Sequence, residues 1–183
     1  MEKQPNDEFL LRLLRNEKRK AEGVELLIKT YQEPLYWHIR KLVISHDDSK
    51  DVLQEVFMRV WSGIGQFKGD SKLFSWLYRI AGNESIRFLE RKTRLQNNQS
   101  SVQEILELEL ATLPFISGEE IQIALQKAIL KLPDKQRLVF NLRYFDELDY
   151  AEIAEIIEST VNSAKVLFHN AKTRIEEQLK HEI

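Results

Sequence analysis

The chain has no cysteine. Disulfides, thiolate metal sites and cysteine nucleophiles are therefore excluded. Glycine and proline are sparse, 6 and 4 in 183 residues, which suits one or two small helical domains, each able to bury a modest core. No apolar stretch follows the opening MEKQPNDE, and no run approaches the ~20 apolar residues of a membrane span. A cytoplasmic protein without membrane insertion is expected. His38, His46, His169 and His181 are scattered without metal-ligand spacing. There is no nucleophile motif and no glycine-rich phosphate loop opening a helix after a strand. No catalytic residue, metal, cofactor or small-molecule substrate is expected, so the chain does not read as an enzyme. Excess positive charge is missing too: the net charge is −2, which argues against a free-standing nucleic-acid binder.

The distribution of charge says more than its sum. Between Lys72 and Arg94 the basic residues are Lys72, Arg79, Arg87, Arg91, Lys92 and Arg94, against only Glu84 and Glu90. From Leu95 to Gln126 there is no Lys or Arg, while Glu104, Glu107, Glu109, Glu119 and Glu120 are acidic. A charge run is usually a solvated face. Here the change of sign coincides with a change in organisation, which marks a linker.

Apolar spacing is helical nearly throughout, with no convincing hairpin or alternating strand. The pattern predicts helices over 7–19, 22–45, 47–62 and 71–93, with Pro34 kinking or dividing the second. GIGQFKGD (63–70) reads as a loop. QNNQSS (96–101) opens a connection to about residue 118, with a short helix around 102–111. A further helix begins near Glu119 and ends at Leu132. Residues 133–179 then read as a three-helix module with very short breaks, the layout that places one helix in a DNA major groove. Pro133 suits a first helical position. Asp149 and Glu152 have capping-box spacing, Thr160 can cap the last helix, and Ile153, Ala154, Ile156 and Ile157 form an apolar face. An ordinary corner of a helical bundle has the same pattern. The expected fold is all-α: a helical domain at 7–94, an acidic linker at 95–118 and a helix-turn-helix domain at 119–179.

Two helices carry the candidate sites. The third turns Val52, Leu53, Val56, Phe57, Val60 and Trp61 toward a core, while Asp48, Asp51, Gln54, Glu55 and Met58 share the other face. That face is either a solvated surface with acidic residues favoured near a helix N-terminus, or a docking ridge for a basic partner helix. The fourth repeats Arg79, Asn83, Arg87 and Arg91 every four residues. Phe67, Phe74, Trp76 and Tyr78 lie just before or within its first turns. Aromatics beside a cationic stripe suit a protein that holds unpaired bases by stacking and backbone charge, although Phe74, Trp76 and Leu77 also fit a core. The loop Phe67, Lys68, Gly69, Asp70, Ser71 and Lys72 is placed to rim a pocket.

Taken together, DDSKDVLQEVFMRVW, FKGDSKLFSWLYRIAGNESIRFLERKTR and LPDKQRLVFNLRYFDELDYAEIAEII resemble, in order and spacing, the bacterial extracytoplasmic-function (ECF) sigma factors of the sigma-70 family. The resemblance covers nearly all of residues 7–179. It implies a subunit that binds core RNA polymerase and directs initiation at particular promoters, with promoter DNA and an anti-sigma factor as further partners. By that resemblance Asp48, Asp51, Gln54, Glu55 and Met58 dock on the polymerase clamp helices. The loop 67–72 pockets a flipped base of the −10 element, with Arg79, Asn83, Arg87 and Arg91 near the strand. Flipping costs a few kcal/mol, which stacking and hydrogen bonding must return. The linker threads the polymerase cleft, and Asn162, Ser163, Lys165, His169 and Lys172 meet the −35 element. The chain departs from the pattern at Glu158, where many members have glycine, and at Leu167 and Asn170, which are frequently arginine. Fewer phosphate-neutralising cations mean less salt-dependent affinity. Those departures motivate an alternative, a sigma-like decoy that occupies an anti-sigma factor without transcribing.

Overall fold

A computed structural model of the chain describes residues 7–95 and 120–182. Among them every regular element is helical: α1 (Asp7–Arg15), α2 (Lys20–Val43), α3 (His46–Gly63), a 3₁₀ turn (Ile64–Gln66), α4 (Leu73–Leu95), α5 (Glu120–Leu130), α6 (Asp134–Tyr144), α7 (Tyr150–Ile156) and α8 (Val161–Glu182). The expected linker, and the short helix within it, lie outside the described residues.

Helix ends follow the local chemistry. Ser45 caps α3, its hydroxyl accepting from the Asp48 N–H at 3.3 Å, and the acidic first turn complements the helix dipole. Asp149 and Glu152 form a complete capping box at α7. Thr160 caps α8 by accepting from the Ser163 N–H at 3.1 Å. Pro133 stands one residue earlier than expected, in extended backbone at the cap. Pro34 neither divides nor ends α2. It sits on the exposed side, where water can satisfy the Thr30 carbonyl that the missing N–H leaves free.

α1 to α4 form an antiparallel bundle around Leu10, Leu27, Leu35, Ile39, Val52, Val56, Val60 and Leu77. α1 lies hard against α2 at Gly23, where an added Cβ would stand 2.9 Å from the Leu14 nitrogen. α5, α6 and α8 enclose a smaller cluster of Ala128, Ile129, Leu132, Phe140, Ala171 and Ile175. The linear pattern anticipates two lobes with separate cores. The structure instead runs the larger core across both: Leu138, Val139 and Leu142 of α6, with Ile153 and Ile156 of α7, are buried in the same cluster as the N-terminal bundle. These residues give α6 and α7 a second apolar face, which is buried here against the other lobe.

A polar latch seals this seam. His38, fully buried in α2, bonds through Nδ1 to the Asp146 carboxylate at 2.8 Å. Lys41 Nζ pairs with the other carboxylate oxygen, and Asn141 donates to the Lys41 carbonyl at 3.4 Å. Burial pushes the Asp146 carboxyl up, but the hydrogen bonds and charges of His38 and Lys41 outweigh it and hold the group below its usual range. Gly82 of α4 allows the close approach: a Cβ there would lie 3.1 Å from a Leu138 methyl.

Candidate partner and nucleic-acid interfaces

The first candidate surface is a groove of about 970 Å³ between α2 and α3. Val52, Val56 and Val60 are fully buried, so the 3.6-residue period turns the next strip outward. Leu53 and Phe57 are half-buried, while Met58 is 66% and Trp61 46% exposed. Val24 and Ile28 of α2 complete the apolar floor, and Gln54, Glu55 and Arg91 stand on its rim. Of the residues predicted for this face, Gln54, Glu55 and Met58 line the groove. Asp51 is exposed beside it, and Asp48 turns away to pair with Lys92 at 2.5 Å. The sequence reading put Phe57 and Trp61 in the core. Their apolar character was legible, but six apolar positions on one helix exceed what the bundle can cover, and the surplus forms the groove. A groove floored by apolar side chains on an exposed helix face is a candidate interaction site.

The second surface comprises the loop after α3 and the exposed side of α4. Lys68, Gly69, Asp70 and Lys72 are exposed and Ser71 half-buried. Gly69 has φ 85°, a backbone geometry that glycine adopts without strain. Phe67 is buried, packed 5.2 Å from the Trp76 ring, and Arg15 of α1 donates to its carbonyl at 3.2 Å. The Phe74 and Tyr78 rings pack against one another at a tilt, with centroids 4.1 Å apart. These aromatics hold the loop to the bundle. Along α4 the predicted stripe is present, and each of its cations has an acidic neighbour. Arg79 pairs with Glu158, Arg87 with Glu84 at 2.8 Å, and Arg91 with Glu55 at 2.8 Å. Glu84 is only 1% exposed and also takes Arg59 at 2.5 Å, so it fixes the spacing of two exposed guanidiniums. Asn83 is exposed.

α8 carries the third surface. Asn162, Lys165, His169 and Lys172 are exposed at three- and four-residue spacing, and Ser163 beside them is half-buried. They form one face of a long helix that follows a short one, which is groove-reading geometry. Lys165 lies 5.8 Å over the Tyr150 ring, and Lys172 approaches Glu176 at 3.6 Å. Lys172 also borders a separate apolar cleft of about 390 Å³ with Phe140, Tyr144 and Ile175, a feature that sequence spacing did not reveal. Asn162 and Ser163 instead face Arg79 and Asn83 across a cleft of about 480 Å³ between the lobes.

Comparison with known proteins places both halves of the chain. Residues 27–95 match the family described as Sigma-70 region 2, and residues 122–175 match Sigma-70, region 4. Among curated relatives, the ECF RNA polymerase sigma factor SigW of Bacillus subtilis is 28% identical, covering 84% of this chain and 87% of its own length. The ECF RNA polymerase sigma-E factor of Escherichia coli is 29% identical, with 98% and 97% covered. Two solved structures share the fold. The sigma factor RpoE in complex with the anti-sigma factor NepR from Bartonella quintana superposes with a TM-score of 0.64 at 24% identity, covering 88% of this chain and 98% of that one. CnrH in complex with the cytosolic domain of CnrY does so with 0.68 at 18%, covering 97% and 99%.

Proposed function

The chain belongs to the ECF branch of the sigma-70 family, and from that premise we propose how its surfaces divide the work of initiation. It is a promoter-specificity subunit: it associates with core RNA polymerase and directs transcription from selected promoters. Members of this family are not enzymes, and the chemistry of polymerisation belongs to the core. No described helix is long and apolar enough to cross a membrane, and the chain works in the cytoplasm, where its polymerase is.

The α2–α3 groove is the core-binding surface, with Met58 and the exposed edge of Trp61 as apolar anchors and Gln54, Glu55 and Asp51 as the polar rim. Buried aromatic and apolar anchors supply most of an interface's energy, and rim charges set register and encounter rate. Residues 7–94 form the lobe that reads and opens the −10 element. Lys68, Gly69, Asp70, Ser71 and Lys72 form the edge that receives an unstacked base, and Arg79, Asn83, Arg87 and Arg91 follow the strand. Phe67 shapes that edge from below. Residues 119–179 form the −35 lobe, read by Asn162, Ser163, Lys165, His169 and Lys172, and residues 95–118 tether the two. An anti-sigma factor is a further partner, as NepR is of the sigma factor RpoE.

The feature that carries the reading is the pairing, in one chain and in family order, of an open apolar groove on α3 with a capped helix-turn-helix. Neither lobe needs high affinity of its own, because a polymerase that holds both at fixed spacing makes the second DNA contact intramolecular. The test is transcription of genomic DNA by the cognate core with and without the chain, with mapping of RNA 5′ ends. A set of start sites that depends on the chain is expected. Identical starts in both reactions, with no association between chain and core, would sink the assignment.

A further inference from the structure

Glu84 is a buried carboxylate that the fold does not require. Its neighbours Ala81 and Ser85 on α4 are buried with it, and replacing a buried ion pair by apolar packing is often neutral or stabilising. Its contacts also differ from those of a stabilising pair. A guanidinium can span both oxygens of a carboxylate, and one turn away Arg91 bonds both oxygens of Glu55, at 3.1 and 2.8 Å. At Glu84, Arg59 Nε at 2.5 Å and Arg87 at 2.8 Å converge on the same oxygen, Oε1. The other, Oε2, is buried without a partner. One acceptor is left unmet, and the effect is to draw an arginine from α3 and an arginine from α4 together. Their bonded nitrogens cannot stand farther apart than the two contacts laid end to end. Both side chains are nevertheless 55% exposed. Arg59 meets the carboxylate through Nε, which leaves the terminal edge of its fork for a second acceptor. Two guanidiniums and one carboxylate carry a single net positive charge, which one phosphodiester neutralises.

We infer that Arg59 and Arg87 form a clasp for one phosphate of the −10 strand, and that Glu84 is its positioning residue. The inference deepens the assignment of α4 to DNA, on which it rests, and adds a contact from α3 that sequence spacing did not single out. Two guanidiniums repel one another. The buried carboxylate holds them together before DNA arrives, so less side-chain freedom is lost on binding. Arg87 belongs to the α4 stripe, and Arg59 also borders the α2–α3 groove. The clasp therefore joins the strand-following face to the core-binding one, and a strand held there is registered against the polymerase.

The probe is forked DNA, its −10 strand unpaired, taken from a promoter whose start depends on the chain and bound by holoenzyme of core and full chain. Arg59→Ala should weaken probe binding about fivefold and flatten the slope of log K against log salt by about 0.7, the signature of one lost single-strand phosphate contact. Affinity for core should not change. Replacing each phosphate in turn by an uncharged methylphosphonate should find one position whose penalty disappears in both Arg59→Ala and Arg87→Ala. Glu84→Gln keeps both cations, so the salt slope should hold while the penalty at that position shrinks and spreads to its neighbours. A carboxylate with only a structural role would lower stability and leave that pattern unmoved. Full probe affinity in Arg59→Ala, or penalties that stay additive at every position, overturns the clasp. So does a loss that appears in core binding instead, which assigns Arg59 to the polymerase. An unaltered pattern in Glu84→Gln overturns the positioning role. Arg59 is exposed, so its variant folds whatever glutamine does at position 84. If the parent directs no start from which to draw the probe, the assigned function falls and the clasp with it.

Discussion

Replacing Asp146 with alanine should destabilise the protein more than loss of an ordinary solvated carboxylate would. Its side chain is 9% exposed and bonds both His38 and Lys41 of α2 at once. Alanine leaves His38 Nδ1 buried without its partner, in a ring whose Nε2 already lacks one. An orphaned buried polar group costs about 1–3 kcal/mol. Lys41 is 26% exposed and can rehydrate, so losing its ion pair adds at most about 1 kcal/mol. The sum is about 1–4 kcal/mol. With a urea dependence of about 2 kcal/mol per molar for a chain of this size, the unfolding midpoint should fall by about 0.5–2 M. Equilibrium urea titration followed by far-UV circular dichroism measures it, with Glu22→Ala, which removes a solvated ion pair with Arg19, as the control expected to leave the midpoint nearly unmoved. A drop for Asp146→Ala no larger than that of the control would refute the argument that the latch is a buried network.

The same carboxylate sets a pH dependence. Its folded-state pKa lies below the unfolded value, so its stabilisation is present above about pH 4 and is lost as pH falls through the folded pKa; the stability gap between parent and Asp146→Asn should therefore narrow on acidification, read from urea midpoints at a series of pH values. Gly23→Ala should lower the melting temperature by a few degrees, although alanine favours helix by about 1 kcal/mol, because its Cβ meets Leu14 and Leu13 backbone atoms at 2.9 and 3.1 Å and overpacking of this kind costs about 1–3 kcal/mol; an unchanged or higher melting temperature contradicts the close contact. Met58→Ala with Trp61→Ala should weaken binding to core polymerase by about 2 kcal/mol or more, roughly thirtyfold, with little change in melting temperature because both side chains are already exposed. Fluorescence titration with core decides it, and equal affinity removes the groove from the interface.

Much of the fold was legible because it is local. Helix limits on α3, α4 and α8 fall within a few residues of those expected from apolar period and caps, and Asp149, Glu152 and Thr160 play the parts their spacing predicts. Pro34 does not divide α2, because a proline's effect depends on which side of the helix meets water. The seam was not legible. Val139, Leu142 and Ile156 look like the private core of a small module, and Glu152, Glu155 and Glu158 look like solvated charges. Their partners lie about eighty residues away in the chain, beyond any periodicity. The candidate residues on α4 were recognisable by type, but their pairing with acidic neighbours belongs to tertiary structure.

Arg15 deserves a last consequence. From the end of α1 it grips the carbonyl of Phe67, 52 positions later, and its guanidinium lies 3.8 Å from where a Cβ on Gly69 would stand. The end of α1 thus acts as a splint beneath the loop assigned to base capture. Truncation into α1 that removes Arg15 should therefore change the start sites the chain selects, read by mapping RNA 5′ ends.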